Sequence, residues 1–191
     1  TTIWKIRDRL VKGKRMKKIW RELQRQLDEK GYTAKKGVIQ DASFIEADQG
    51  RKRIQVEKKA KKEGREIEYS DKQKSHMDKD GTFAKKGEEI HFGYKDHIKI
   101  DVKHEFIREI ETTTARDHDN TVNLIKETDD TGYRDKGYFG SPLPKGVEDK
   151  TMQRAVRGRK LNCGQQKRNQ SISRIMVAVE RPFGVIKRVF H

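Results

Sequence analysis

Three carboxylates stand where a charge needs a reason: Asp41 in "GVIQDASFIEA", Asp135 in "GYRDKGYFG" and Glu180 in "VERPFGVIKRVFH". Asp41 interrupts an alternating, largely apolar stretch, and Asp135 follows a short strand pattern beside glycines. Glu180 sits among apolar residues, with Arg181 next to it and Lys187 seven positions on. About seven residues make two helical turns, so Glu180 and Lys187 share a face if the segment is helical. Carboxylates kept ionised near one another repel strongly in a low-dielectric site. Divalent cations compensate: hard Mg²⁺ takes oxygen ligands and keeps part of its water shell. Two such ions about 3.5–4 Å apart activate an attacking oxygen and stabilise a leaving one in phosphodiester chemistry. Each acid also has a plainer role. Asp41 could be a salt-bridged acid of a sheet edge, Asp135 a turn residue before glycine, and Glu180 half of a surface ion pair. Asp119, in "HDNT", rivals Asp135 as second carboxylate, although helix capping is its simpler role.

Charge points the same way. The 191 residues carry 46 Lys and Arg against 30 Asp and Glu, a net charge of +16. Residues 1–36 hold 13 basic and 4 acidic side chains and residues 145–191 hold 12 and 3, so each end is +9 and the middle −2. Basic surface concentrated in this way attracts polyanions, nucleic acid first among them. The alternative is a merely solubilising surface. Cys163 is the only cysteine, which leaves no disulfide framework and no cysteine-based zinc site. No apolar run approaches the roughly 20 residues that span a bilayer. The first ten residues form a basic amphipathic stretch rather than a secretory leader. A cytoplasmic, nucleoid-associated protein is expected.

The elements that position these acids follow from periodicity. Trp4, Ile6, Leu10, Met16, Ile19, Trp20, Leu23 and Leu27 recur near helical spacing, broken at Gly13, so residues 1–36 read as a basic N-terminal helical segment. Both tryptophans are expected to anchor packing. Gly37 to Ala47 alternates with apolar residues on both faces, which predicts a central strand. Residues 48–87 are almost entirely charged or polar, cannot bury a core, and predict an insertion of solvated helix and loop. Ile90–Val102 and Glu105–Thr114 predict a hairpin turning at Lys103 and His104, with His91 and His97 at the surface. His118–Thr128 predicts a short helix and Gly132–Gly140 a short strand entering a glycine-rich turn. A polar, basic segment then leads to a last helix ending at His191. Together these make an α/β domain with a mixed sheet over residues 37–191.

Particular stretches carry a resemblance. "DASFIEA", "TFAKKGEEIHFGYKDHIKID", "IETTTARDHDNT", "YRDKGYFG", "RAVRGRKL" and "RNQSISRIMVAVERPFGVIKRVF" resemble the transposases of the IS5 group, within the IS4 superfamily of bacterial and archaeal insertion sequences. The last stretch and the D-K-G-Y element are the most specific. The resemblance implies an RNase H-like fold and a D-D-E triad of Asp41, Asp135 and Glu180, acting as catalytic residues and metal ligands for two Mg²⁺ or Mn²⁺ ions. It implies metal-dependent DNA cleavage and strand transfer of an insertion sequence, with double-stranded transposon ends and target DNA as partners and a homodimer on the DNA. Lys187 matches the family's lysine seven residues after the glutamate. Lys187, Arg154, Arg157, Arg159, Lys160 and Arg174 are the expected DNA contacts. Met176 stands where relatives carry an arginine. The chain begins after the family's usual N-terminal helices and stops before its C-terminal helical tail, as a truncated or decaying copy would. The competing readings are another nuclease of the same fold and a non-catalytic basic nucleic-acid-binding protein.

Overall fold

The computed structural model describes residues 2–34, 36–50, 53–74 and 76–190. Two amphipathic helices open the chain, α1 (Thr2–Lys12) and α2 (Met16–Glu29), broken where Lys14 turns with φ +51°. The central strand follows as β1 (Val38–Glu46). The polar segment after it forms α3 (Arg53–Glu63) and α4 (Asp71–Lys74), as its composition suggests. Its final residues depart from the expectation of helix and loop: Thr82–Lys86 is β2, a strand of the main sheet. Next come β3 (Glu89–Asp101) and β4 (Ile107–Thr114), the expected hairpin. β5 (Thr131–Arg134) and β6 (Glu148–Thr151) precede α5 (Cys163–Met176), a 3-10 turn at Val177–Val179, and α6 (Glu180–Phe190). The expected helical end at His191 lies outside the described residues.

The six strands form one mixed sheet in the order β2-β3-β1-β5-β6, with β4 also paired to β3. β1 runs antiparallel to β3 and parallel to β5, and β5 runs parallel to β6. A mixed sheet with flanking helices is consistent with the RNase H-like fold. Ile39, Ile98 and Ile100 pack from the sheet against Ile172, Met176, Val179 and Phe183 of the C-terminal helices. Each such side chain withdrawn from water contributes about 1.5–3 kcal/mol, which fixes α5 and α6 on one face of β1. Met176 is thus a core residue of this chain.

The N-terminal helices join the sheet through α2. Trp20 Nε1 donates to the Arg108 carbonyl at 3.1 Å and Gln24 Nε2 to that of Ile107 at 2.9 Å, so β4 is capped by side chains of α2. Buried Arg108 ties the junction together: it donates to Asp101 (3.2 Å), to Gln24 and Asp28, and to the Tyr32 carbonyl. Trp20 therefore anchors as expected. Trp4 does not, being 57% exposed on α1.

Two further expectations change. His118–Thr128 is one 3-10 turn, Asp119–Thr121, followed by extended chain, and no side chain caps the turn. The apolar residues there, Val122, Leu124 and Ile125, are buried without a helix. His97 is fully buried rather than superficial, with Nε2 2.9 Å from Thr113 Oγ1, and burial holds its pKa below the usual value. His91 is half-buried and stacks on Phe44 with ring centroids 4.2 Å apart.

Candidate active site

The parallel ladder between β1 and β5 has three register pairs, of which Gln40 and Arg134 are the last. Asp41 and Asp135 are therefore the next residues on two adjacent strands, which lie about 4.8 Å apart. Pairing stops there because the chain turns. The Asp135 carboxylate accepts the Gly137 backbone N–H at 2.6 Å and caps a 3-10 turn, Lys136–Tyr138. Gln40, fully buried, clamps a second segment to β1: its Nε2 donates to the Val122 carbonyl (2.7 Å) and its Oε1 accepts from Leu124 N–H (3.0 Å). That clamp brings the Asp119 turn alongside. A Cβ on Gly137 would lie 2.9 Å from Asp135 Oδ1 and 3.3 Å from Asp119 Oδ2, so both carboxylates flank this one glycine. The glycine of the D-K-G-Y element makes room for two acids.

Asp119 and Asp135 thus flank Gly137, and the charges of both reach Asp41. The Asp41 carboxyl is pushed up to about 7, first by burial and then by the charges of Asp135 and Asp119, while a backbone hydrogen bond and Lys86 act the other way. Asp119 is already compensated, because Lys95 Nζ lies 2.8 Å from its Oδ1. Lys95 is itself fixed by the Asp117 carbonyl at 2.6 Å and sits 5.1 Å from the Phe44 ring centre. Asp135 has no ion pair among the described residues.

Beneath Asp135 lies Arg134, a fully buried arginine. Its Nε donates to Thr151 Oγ1 (2.9 Å) and its Nη2 to the Ser141 carbonyl (2.7 Å), which pins the turn that presents Asp135. Burial lowers the Arg134 pKa, offset in part by Asp149, and pushes the adjoining Tyr138 phenol up, helped by Asp41 and Asp119. Sequence reasoning missed Lys86, Lys95 and Arg134 as parts of this site. Arg134 had a signal, since an arginine in the position of a central parallel strand needs a buried partner.

Glu180 is the first residue of α6 and is exposed. Side chains two apart in a strand share a face, so Asp41 projects to the side of Ile39, where Val179 and α6 pack. Glu180 therefore lies on the same side of the sheet as Asp41, but is not among the charges that act most strongly on it. Lys187, exposed in the last turn of α6, acts on Glu46 at the far end of β1. Glu46 is pushed up by partial burial but held below its ordinary range overall by His91, the Phe92 N–H and Lys187. Arg154, Arg157, Arg159 and Lys160 are exposed around a tight turn closed by a Val156–Arg159 bridge, and Arg174 is exposed near the end of α5. Asp96, buried on β3, is not a stray charge: Thr112 Oγ1 donates to it at 2.6 Å.

The donor set suits a hard divalent cation. Asp41 and Asp135 offer carboxylate oxygens at a point where burial and mutual repulsion leave negative charge under-compensated. Among the described residues no three His, Cys, Asp or Glu side chains are grouped closely enough to hold a metal ion together, so any such ion would rest on fewer of these ligands as they stand. No helix among them is long and apolar enough to cross a membrane. A family model described as the transposase DDE domain matches residues 32–191, most of the chain, and the chain belongs to that family. No solved structure matches it.

Proposed function

We propose that this member of the transposase DDE family cuts DNA strands and joins the freed ends to target DNA, as an IS5-group insertion-sequence transposase, with Asp41, Asp135 and Glu180 as its three acids. The observation that carries the reading is the placement of Asp41 and Asp135 immediately after the last register pair of two adjacent parallel strands, with the Asp41 carboxyl raised to about 7. Acids are placed at such cost mainly where function requires it. Mg²⁺ or Mn²⁺ ions held by Asp41, Asp135 and Glu180 would supply Lewis-acid activation of the attacking oxygen and stabilisation of the leaving one.

The chain's own residues do the rest. Asp41 surrenders its proton near neutral pH, which would leave its carboxylate available to hold a cation. Asp135 is held in place by the Gly137 N–H and by the turn that Arg134 anchors. Lys187, Arg174 and the exposed group Arg154, Arg157, Arg159 and Lys160 hold duplex phosphates, which position the strand without reading its sequence. The resemblance to insertion-sequence transposases further supports a homodimer acting on double-stranded transposon ends and target.

The test is cleavage and joining of end-labelled duplex with Mg²⁺ or Mn²⁺. Cleavage abolished in Asp41→Asn, Asp135→Asn and Glu180→Gln, with a 3′ end joined to a second duplex by the parent chain, supports the reading. Cleavage without joining would favour a nuclease of the same fold, and binding without cleavage a non-catalytic DNA-binding protein. Unchanged cleavage in Asp41→Asn would sink the assignment. A second reading, Asp119 in place of Asp135, draws on Asp119 flanking the same glycine. Its ion pair with Lys95 argues against it, because that carboxylate is already satisfied.

A further inference from the structure

The chain leaves the sheet after β1 and returns at β2, and the excursion between them is basic. Residues 49–77 hold 10 Lys and Arg against 5 Asp and Glu, an excess that the near-neutral middle of the sequence conceals. Its root is fixed: the Asp78 N–H donates to the Asp48 carbonyl at 2.9 Å, and the Tyr94 hydroxyl of β3 donates to the Asp78 carboxylate at 2.9 Å. Among the described side chains of α3, Ala60 alone is buried, at 1% exposure. Successive helical residues are about 100° apart, so Lys58 and Lys62, each two positions from Ala60, project from the opposite side, with Lys59 and Lys61 flanking them. All four lysines are exposed.

Folding does not account for that face. Lys59 lies 3.9 Å from Glu63, and Lys58, Lys61 and Lys62 enter no ion pair among the described residues. Lys61 and Lys62 suit the negative end of the helix, but Lys58 stands a turn earlier and gains nothing from it. It instead repels Lys61 and Lys62, its neighbours at three and four positions, and like charges at such spacings weaken a helix. A bound polyanion turns that repulsion into attraction. The four lysines span about 6 Å of helix rise, and a duplex carries roughly one charge per 1.7 Å of its axis.

Strand direction decides where this face stands. β1, β5 and β6 are parallel neighbours, so their chains leave by the same end of the sheet. β1 leaves past Asp41 into the excursion of α3, β5 into the turn of Asp135, and β6 into the exposed basic turn of residues 154–160. In strand order the two basic features bracket the acids. We propose that the lysine face of α3 is a second contact for duplex DNA, and that α3 and the turn of residues 154–160 grip one duplex on opposite sides of the reacting phosphate. The inference rests on the reading of Asp41 and Asp135 as the place where DNA reacts, and gives the charged insertion a part in holding the duplex there.

The experiment is fluorescence anisotropy of the full chain, without divalent metal, on a fully paired duplex of about three helical turns over a series of salt concentrations. Replacing Lys58, Lys59, Lys61 and Lys62 together by Gln, which helices accept as well as Lys, should lower the log–log salt slope by about three, at roughly 0.9 per duplex phosphate. Replacing the same four by Arg should keep the slope. An unchanged slope with Gln, or a slope lost with Arg, overturns the proposal. If the Gln variant keeps its DNA slope but loses affinity for a polyglutamate peptide, the face serves an acidic protein and the proposal fails. Hydroxyl-radical footprints of the Gln variant and of Arg154→Glu with Arg157→Glu should lose protection on opposite flanks of one site, and loss on the same flank overturns the grip. Metal-dependent nicking of the same duplex separates the two readings. Nicking by the parent with an unchanged slope in the Gln variant overturns the α3 contact alone. A reduced slope without nicking supports that contact and counts against the catalytic reading. No binding by the parent overturns both.

Discussion

Asp41 and Asp135 are the residues that follow the last register pair, Gln40 and Arg134, of two parallel strands. The carboxyl ends of parallel strands are where α/β sheets place ligands, because the chains diverge there and leave a crevice. Asp119 reaches the same crevice on a loop held by Gln40, but carries its own counter-ion.

That difference separates the two rival acids. Asp135→Asn keeps the cap on Gly137 through the amide oxygen and removes an anionic ligand, so metal-dependent cleavage should fall by at least a hundredfold while DNA binding persists. Asp119→Asn should keep most activity, since an amide oxygen still accepts from Lys95. Gel-based cleavage and anisotropy on both variants check this. The opposite pattern would make Asp119 the second carboxylate.

The raised Asp41 pKa has a definite sign. An acid whose folded pKa lies above its unfolded value near 4 binds more protons when folded. Its contribution to stability is complete below about pH 4 and is lost as pH rises through about 7. Each tenfold change in proton affinity corresponds to about 1.4 kcal/mol, so the loss amounts to a few kcal/mol. Buried neutral His97 acts oppositely on the acid side, so the informative quantity is parent minus Asp41→Asn. The melting temperature of Asp41→Asn relative to the parent should rise between pH 5 and pH 8. Mn²⁺ should raise the parent's melting temperature more at pH 8 than at pH 5, and Asp41→Asn should lose that gain. A metal effect independent of pH would count against Asp41 as a ligand.

Arg108 tests the docking of the N-terminal helices. Arg108→Ala leaves fully buried Asp101 without its cationic partner and strips Gln24, Asp28 and the Tyr32 carbonyl of a shared donor. Removing one member of a buried ion pair costs about 3–5 kcal/mol. Denaturant unfolding should show that loss, and limited proteolysis should cut first near residues 30–36. An unchanged unfolding midpoint would mean that α2 is held by Trp20 and Gln24 alone.

DNA affinity should fall steeply with salt, by about 0.9 in the log–log slope for each duplex phosphate neutralised. Reversing Arg154, Arg157, Arg159 and Lys160 to Glu should flatten that slope by about three to four. These side chains are exposed around one turn, so the fold should tolerate the change, as circular dichroism would verify. A slope unchanged in the variant would place the duplex elsewhere.

Periodicity revealed β1 and the β3–β4 hairpin, whose apolar spacing records their burial; it revealed both N-terminal helices too, although neither contains a buried residue. It hid β2 and β6. These strands lie at the sheet's edges, where charge is tolerated and discourages further pairing, so "TFAKK" and "EDKT" carry no apolar pattern. Val122, Leu124 and Ile125 imitated a helix because their burial depends on Gln40, more than 80 positions away in the chain. The acids themselves were visible as charges out of place. Their meeting was not, since parallel pairing of β1 with β5 leaves no local trace in either strand.

That pairing also dictates the order in which the molecule can assemble. Gln40 and Arg134 are 94 positions apart, and closing so large a loop costs entropy that local contacts do not. Helix α2 and the β3–β4 hairpin, built from near neighbours in the chain, can form early. The β1–β5 seam waits until β5 has been synthesised and the hairpin has docked on β1. The place where Asp41 and Asp135 come together is therefore complete only once this long-range pairing has closed.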